Sequence, residues 1–179
     1  MRVTAAVPVQ LGTVVLCAAL AVAIGACSDG TGATVRPTGD TAVEPNAVVE
    51  RIVDGDTVDV DVDGRRERVR LIGIDTPETK RPETPVECFG PEATAFTTSL
   101  LPPGTSVRLE RDVVGRDDYG RLLAYVYRSD DGLFVNREIV RRSFARPLTY
   151  PPNVAHAEVF VDAARAAERA DEGLWLGCT

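Results

Sequence analysis

Apolar and polar positions divide this chain into an apolar leader, a polar stretch and a domain with two interleaved periodicities. Leu11 to Ala26 is an apolar, Ala/Val-rich run without a charge. Residues 28–45 show no apolar period and are rich in Ser, Thr, Gly, Asp and Pro. From Ala47 the pattern becomes that of strands. Ala47 to Val53 is β-branched and apolar until Asp54-Gly55 interrupts it. Val58-Asp59-Val60-Asp61-Val62-Asp63-Gly64 alternates strictly, the period of a half-buried strand ending in an Asp-Gly turn. Its aspartates are therefore expected to face solvent. Arg66 to Ile74 alternates again, with Val69 and Leu71 on one face and Gly73 continuing it, so the three runs predict a β-meander.

Helical spacing begins at Gly90-Pro91-Glu92 and runs to Leu101, with Phe96 and Leu100 four apart and Pro102-Pro103-Gly104 as a stop. Val107 to Val114 and Leu122 to Tyr127 predict two further strands. Phe134 to Ser143 predicts a short helix carrying Ile139 and Val140. Ala155 to Ala170, with Val159, Ala163, Ala166 and Ala167 at helical spacing, predicts the longest helix, and Leu174-Trp175-Leu176 is expected to pack it onto the core. Five strands with about three helices define a mainly β class with α, and fit the five-stranded Greek-key barrel called the OB-fold. A chain of 179 residues holds one such domain, expected over residues 46–179.

The leader changes the picture of where the domain works. Arg2 gives a short positive start, and the apolar run is too short for a comfortable membrane span. Residues 1–26 read as a signal segment. Ile24-Gly25-Ala26-Cys27 resembles the bacterial lipobox, which implies that Cys27 is acylated and becomes the mature N-terminus. Residues 27–45 then form a flexible, lipid-anchored linker. The expected location is the extracellular side of the cell membrane, for an exported, lipid-anchored monomer.

Charge and cysteines narrow the chemistry. The chain carries 27 acidic and 20 basic residues, a net of −7, which argues against a broad phosphate-binding surface. A nucleic-acid substrate would need a local cationic pocket or a bound metal. Cys17 leaves with the signal, and outside the cytosol the remaining pair, Cys88 and Cys178, suggests a disulfide. A lone histidine, His156, and the lack of a CxxC pair argue against zinc. His156 is read as a helix-start residue contacting the barrel rather than a general base.

Three segments hold candidate chemistry: Asp54-Gly55-Asp56-Thr57, Arg70 with Asp75-Thr76-Pro77-Glu78-Thr79, and Asp118-Tyr119-Gly120-Arg121. Cleaving a phosphodiester requires stabilised charge on the phosphate oxygens, a deprotonated water and in-line positioning. Aspartates and backbone carbonyls suit Ca²⁺, arginine forks suit phosphate, and a carboxylate serves as general base. Each segment alone also reads as an ordinary turn or strand start. Asp59-x-Asp61-x-Asp63-Gly64 imitates the opening of an EF-hand loop, but Arg70 stands where that loop needs its glutamate. Arg70 and Asp75 are an odd number of residues apart, so a bulge near Gly73 is expected if both face one site.

Together the segments resemble the staphylococcal nuclease family, over roughly Val48 to Trp175. The resemblance rests on Ile52 to Thr57, Arg70 to Thr79, Phe89-Gly90-Pro91-Glu92-Ala93, Tyr119 to Tyr125 and Val135-Asn136. It implies an OB barrel that cleaves DNA and RNA with Ca²⁺, leaving 3′-phosphate and 5′-hydroxyl ends. It implies Asp56 and Asp75 as carboxylate metal ligands, with Thr76 contributing its backbone carbonyl. Glu78 would orient or deprotonate the attacking water, and Arg70 and Arg121 would clamp the phosphate. Tyr119 would line the nucleotide pocket. Two positions depart from the family pattern: Asp118 stands where a lysine is frequent, and Leu148 replaces a second pocket tyrosine, with Tyr150 two residues on as its substitute. Lys80 to Glu87 resembles a mobile loop beside the site. The rival readings are a catalytically weak nucleic-acid-binding barrel and a lipoprotein barrel used in assembly or adhesion.

Overall fold

The structure, a computed structural model, describes residues 42–80 and 85–178. The leader, Cys27, nearly all of the linker and the middle of the Lys80 to Glu87 loop lie outside the described residues. Strands β1 (Ala47–Asp54), β2 (Thr57–Val62) and β3 (Arg65–Leu71) form the expected meander. With β5 (Ser106–Glu110) and β6 (Leu122–Arg128) they close a barrel in the order β1-β2-β3-β6-β5. The pairs are antiparallel except β3 with β6, where Val69, Arg70 and Leu71 lie parallel to Leu122, Leu123 and Ala124.

Alternation decides the interior. Val58, Val60, Val69, Leu71, Val107 and Val126 point inward and are fully buried, each contributing about 1.5–3 kcal/mol by its removal from water. Helix α1 (Gly90–Leu100) packs on β1, and α2 (Val135–Arg141) packs on β6 and on α3 (Ala157–Ala170). Glu92 in the first turn of α1 complements the helix dipole. His156 precedes α3 and lies edge-on to Tyr125, with ring centroids 4.5 Å apart. The buried amide of Asn136 accepts from Val126 N–H at 2.9 Å and donates to Ile72 C=O at 2.9 Å, fastening α2 to β6 and to the turn that follows β3.

Four expectations need correction. The strand expected to reach Val114 ends at Glu110, because Asp112 turns the chain out of the sheet by accepting hydrogen bonds from Val113 N–H, Tyr125 Oη and Ala155 N–H, each at 3.0 Å. Of the C-terminal apolar trio only Leu174 enters the core. The single turn α4 (Leu174–Gly177) cannot turn three consecutive side chains to one face. Trp175 instead packs beneath the Arg146 guanidinium, 5.0 Å from the ring centroid. Asp59 does not face solvent: its side chain is 1% exposed, because Arg51 and Arg68 close over it from the neighbouring strands.

The fourth concerns Gly73. The chain does not bulge there but leaves the barrel. Ile72 is a turn residue, Gly73 takes φ +82°, and the short β4 (Gly73–Asp75) pairs with β7 (Arg146–Leu148) in a separate two-stranded sheet. A positive φ favours glycine. Packing demands it too, since a Cβ at this position would stand 2.1 Å from the Phe160 ring.

Candidate active site

The break at Gly73 brings Arg70 back against Asp75. Arg70 is mostly buried, and its Nη1 donates to the carbonyls of Leu71 at 2.6 Å and Ile74 at 3.0 Å. Its Nη2 lies 3.0 Å from Asp56 Oδ2 and 2.9 Å from Asp75 Oδ1. Two carboxylates therefore converge on a single cationic nitrogen, and Arg70 is preorganised by four oxygen partners.

Asp56 sits in the tight turn between β1 and β2 and is buried. Its Oδ2 accepts from Thr76 N–H at 2.9 Å and Thr76 Oγ1 at 3.0 Å, which joins this turn to the end of β4. The approach requires Gly55, because a Cβ there would lie 2.6 Å from Thr76 Oγ1. Asp56, Arg70, Asp75 and Thr76 thus form one contact network.

Glu78 is held separately, beside Asp54 at the end of β1, a residue that sequence reasoning treated only as part of a turn. Asp54 Oδ1 accepts from Gly55 N–H at 2.8 Å, Thr79 Oγ1 at 2.9 Å and Thr94 Oγ1 at 3.1 Å. Glu78 Oε1 accepts from Thr79 N–H at 2.9 Å and Lys80 N–H at 2.7 Å. The Asp54 and Glu78 carboxyls also share a hydrogen bond that drives their titrations apart. It raises the Glu78 carboxyl above its ordinary range, with burial adding to the shift. Burial pushes Asp54 up, but its bonds with Glu78, Gly55 and Thr79 outweigh this and hold it below the ordinary range.

The other side of the site comes from the loop before β6. Arg121 Nε donates to Asp117 Oδ2 at 2.6 Å, and Asp117 Oδ1 accepts from the backbone N–H groups of Tyr119 at 3.0 Å and Arg121 at 2.9 Å. Asp117 was missed in the sequence because no period links a loop carboxylate to its partner. Asn153 holds the segment after β7 in place by bonding Val114 N–H at 2.8 Å and Val114 C=O at 3.0 Å.

A cleft of about 470 Å³ gathers Arg70, Asp118, Tyr119, Arg121, Leu148 and Tyr150. Both tyrosine rings are open, at 86% for Tyr119 and 80% for Tyr150, and the Arg121 guanidinium lies 5.5 Å from the Tyr119 centroid. Glu78 does not line this cleft and lies instead at the Asp54 turn. Cys88 and Cys178 are joined as a disulfide with Cα atoms 5.8 Å apart, tying the loop after Glu78 to the C-terminal turn.

The oxygen donors suit a hard cation. Asp56 and Asp75 already converge on positive charge. Among the described residues no three His, Cys, Asp or Glu side chains form a metal-holding group. An ion would therefore complete its shell with a backbone carbonyl, such as that of Thr76, and water, as Ca²⁺ commonly does.

Residues 68–177 match the family described as staphylococcal nuclease homologue. The thermonuclease of Staphylococcus intermedius is 38% identical over 167 residues, covering 93% of this chain and 97% of that protein. The thermonuclease of Staphylococcus hyicus is 40% identical over 134 residues, covering 75% of this chain and 78% of that protein. Endonuclease YncB of Bacillus subtilis (strain 168) is 38% identical over 117 residues, covering 64% of this chain and 54% of that protein. With its closed barrel and a match over more than half its length, the chain belongs to the staphylococcal nuclease family.

Proposed function

We propose that this nuclease is a calcium-dependent phosphodiesterase, exported and lipid-anchored, that cleaves DNA and RNA on the 5′-oxygen side. The observation that carries the reading is the pairing of Arg70 and Arg121 in one cleft, with Arg70 Nη2 within 3.0 Å of both Asp56 and Asp75.

A phosphate entering this cleft accepts hydrogen bonds from the two guanidiniums, whose planar forks match its oxygens. Tyr119 and Tyr150 offer open rings against which the nucleotide stacks. Asp56, Asp75 and the Thr76 carbonyl would hold Ca²⁺, which when bound supplies positive charge for the phosphate oxygens. Ionised Glu78 takes a proton from the attacking water, and the oxygen of that water forms its bond to phosphorus. The bond from phosphorus to the 5′ oxygen breaks, and that oxygen leaves with a proton taken up from solvent. The products are a 3′-phosphate and a 5′-hydroxyl. Arg70 and Arg121 stabilise the added charge on the phosphate, a contribution of about 10²–10³ in rate for each such donor.

Export is supported by the charge-free run before Cys27 and by the Cys88–Cys178 disulfide, a bond that persists in oxidising compartments. The purified chain, incubated with single-stranded DNA in calcium and then with a chelator, tests the reaction. Calcium-dependent fragments with 3′-phosphate ends, absent from a Glu78→Gln variant, are expected. Calcium-dependent binding without fragments would leave the inactive binding barrel.

A further inference from the structure

Outside the catalytic cleft, three exposed arginines, Arg51, Arg66 and Arg68, share the outer face of β1, β2 and β3. We propose that this face is a track for the phosphates of a single-stranded polynucleotide beyond the one held at Arg70. The proposal rests on the nuclease reading and names how that site takes a long substrate.

Strand geometry creates the track. Val69 and Leu71 point into the barrel, so alternation sends Arg66, Arg68 and Arg70 to its outer face. Their steps along β3 are about 6.6 Å each, comparable to the phosphate spacing of an extended single strand. Across the sheet Asp59 pairs with Arg68 in β3 and with Arg51 in β1, placing Arg51 in the same row as Arg68. Arg66 occupies the next row, opposite Asp61.

Charge on this face is uneven. Buried Asp59 accepts from Arg68 Nε at Oδ1 at 2.7 Å and from Arg68 Nη2 at Oδ2 at 3.1 Å, and Arg51 Nη2 lies 2.6 Å from the same Oδ2. One carboxylate thus positions two guanidiniums, leaving a surplus positive charge. Their side chains remain 56% and 46% exposed, and that of Arg66 is 65% exposed. Glu50 pairs with Arg66 and Asp117 with Arg121, while Asp61, which accepts from Gly64 N–H at 3.0 Å, keeps its charge but lies outside the cleft that these arginines line. Each guanidinium has five N–H donors, more than these pairings use.

Continuity with the catalytic cleft gives the track its direction. A neighbouring cleft of about 430 Å³ is lined by Arg51, Asp59, Arg66 and Arg68 together with Tyr119 and Arg121. The last two also line the catalytic cleft. A strand with one phosphate at Arg70 and Arg121 therefore reaches Arg68 and Arg51 next, then Arg66. The open Tyr119 ring at the junction favours unpaired bases, which stack on aromatic faces. A locally cationic groove of this kind is what an acidic chain of net −7 needs to hold a polyanion.

Arg51, Arg66 and Arg68 are positioning residues on this reading, so their effect belongs in KM and in salt dependence. The test uses the full chain and thymidine oligomers, a dinucleotide and a dodecanucleotide, in calcium. In Arg51→Gln/Arg66→Gln, Asp59 keeps Arg68 and the buried pair survives. The ratio of kcat/KM for the dodecanucleotide to that for the dinucleotide is expected to fall about tenfold, carried by KM. The slope of log KM against log salt between about 50 and 200 mM falls by about 1.4, or about 0.7 for each phosphate that the variant no longer neutralises. Glu50→Gln, which releases Arg66, should lower the dodecanucleotide KM about two- to threefold, an effect that a purely structural ion pair would not produce. A ratio unchanged within about twofold, or a loss confined to kcat, overturns the track. If no oligomer is cleaved at all, the nuclease reading fails separately. The track is then judged by fluorescence anisotropy with a labelled dodecanucleotide, where it requires about tenfold weaker binding by the double variant and equal binding overturns it.

Discussion

Arg121 Nε donates to Asp117 Oδ2 at 2.6 Å, while the backbone N–H of Arg121 donates to Oδ1 of the same carboxylate at 2.9 Å. A single side chain therefore fixes both the loop and the guanidinium that it carries. Tyr119 N–H, at 3.0 Å from Oδ1, is the third group held. Without this carboxylate, Arg121 would have to be ordered by the substrate, and the entropy of ordering it would be subtracted from catalysis. Asp117→Ala is expected to lower kcat about 10- to 100-fold with the fold intact, since a misplaced charged donor forfeits much of its transition-state effect. Single-turnover rates and a far-UV spectrum check this. A rate within about twofold of the wild type would mean that Arg121 finds its position unaided.

Gly73 makes the site out of a strand that would otherwise run on. Its φ of +82° and the 2.1 Å approach of the Phe160 ring to a would-be Cβ leave no relaxed placement for a side chain. Gly73→Ala is expected to cost about 2–5 kcal/mol, combining about 1–2 for the left-handed backbone with about 1–3 for overpacking. Urea denaturation measures it. A cost below about 1 kcal/mol would show that Phe160 and the turn move aside together.

What could be read from the sequence, and what could not, divides by range. The alternation in Val58 to Val62 and in Arg66 to Leu71, and the Pro and Gly stops around α1, are local signals, and those elements formed where expected. The same local rule failed for Asp59. Alternation correctly sent it to the outer face, but only the pairing of β2 with both neighbours reveals the two arginines that bury it. The pairing of Gly73 with Leu148 in the small sheet spans the whole site and has no periodic signature. Among the site residues, Asp56, Arg70, Asp75 and Thr76 come into contact, and of these Arg70 shares a cleft with Arg121. Asp54 and Asp117, which hold Glu78 and Arg121, depend on contacts made only after folding.

The Cys88–Cys178 bond links residues 90 apart in the chain, and closing a loop of that length stabilises the fold by about 4–5 kcal/mol in the chain-entropy model. Its position adds a functional consequence. Glu87, next to Cys88, exchanges bonds with Glu78: Glu87 N–H donates to Glu78 C=O at 2.9 Å, and Glu78 N–H donates to Glu87 Oε2 at 3.1 Å. Cys88→Ser/Cys178→Ser should therefore unfold at lower urea and, while still folded, fall several-fold in kcat. Denaturation and initial-rate assays separate the two effects. Unchanged kcat in the folded variant would show that the Glu87 bonds suffice to hold Glu78.

Asp59 makes the stability of the barrel depend on acid. Hydrogen bonds from Arg68 hold its carboxyl below the ordinary range against the upward push of burial, and the charges of Arg68 and Arg51 add to the effect. A carboxyl depressed in the folded state stabilises fully above its unfolded value of about 4, and that contribution fades as pH falls through the folded value. Asp59→Asn should therefore cost about 1–2 kcal/mol near pH 6, the value for hydrogen bonds to a charged group discounted for the half-exposed guanidiniums. Below about pH 4 the gap should narrow, because the wild type then begins to lose the same charge by protonation. Thermal melts of both proteins across this range decide it. A gap that stays constant into acid would mean that the packing of the side chain, rather than its charge, stabilises the three-strand row.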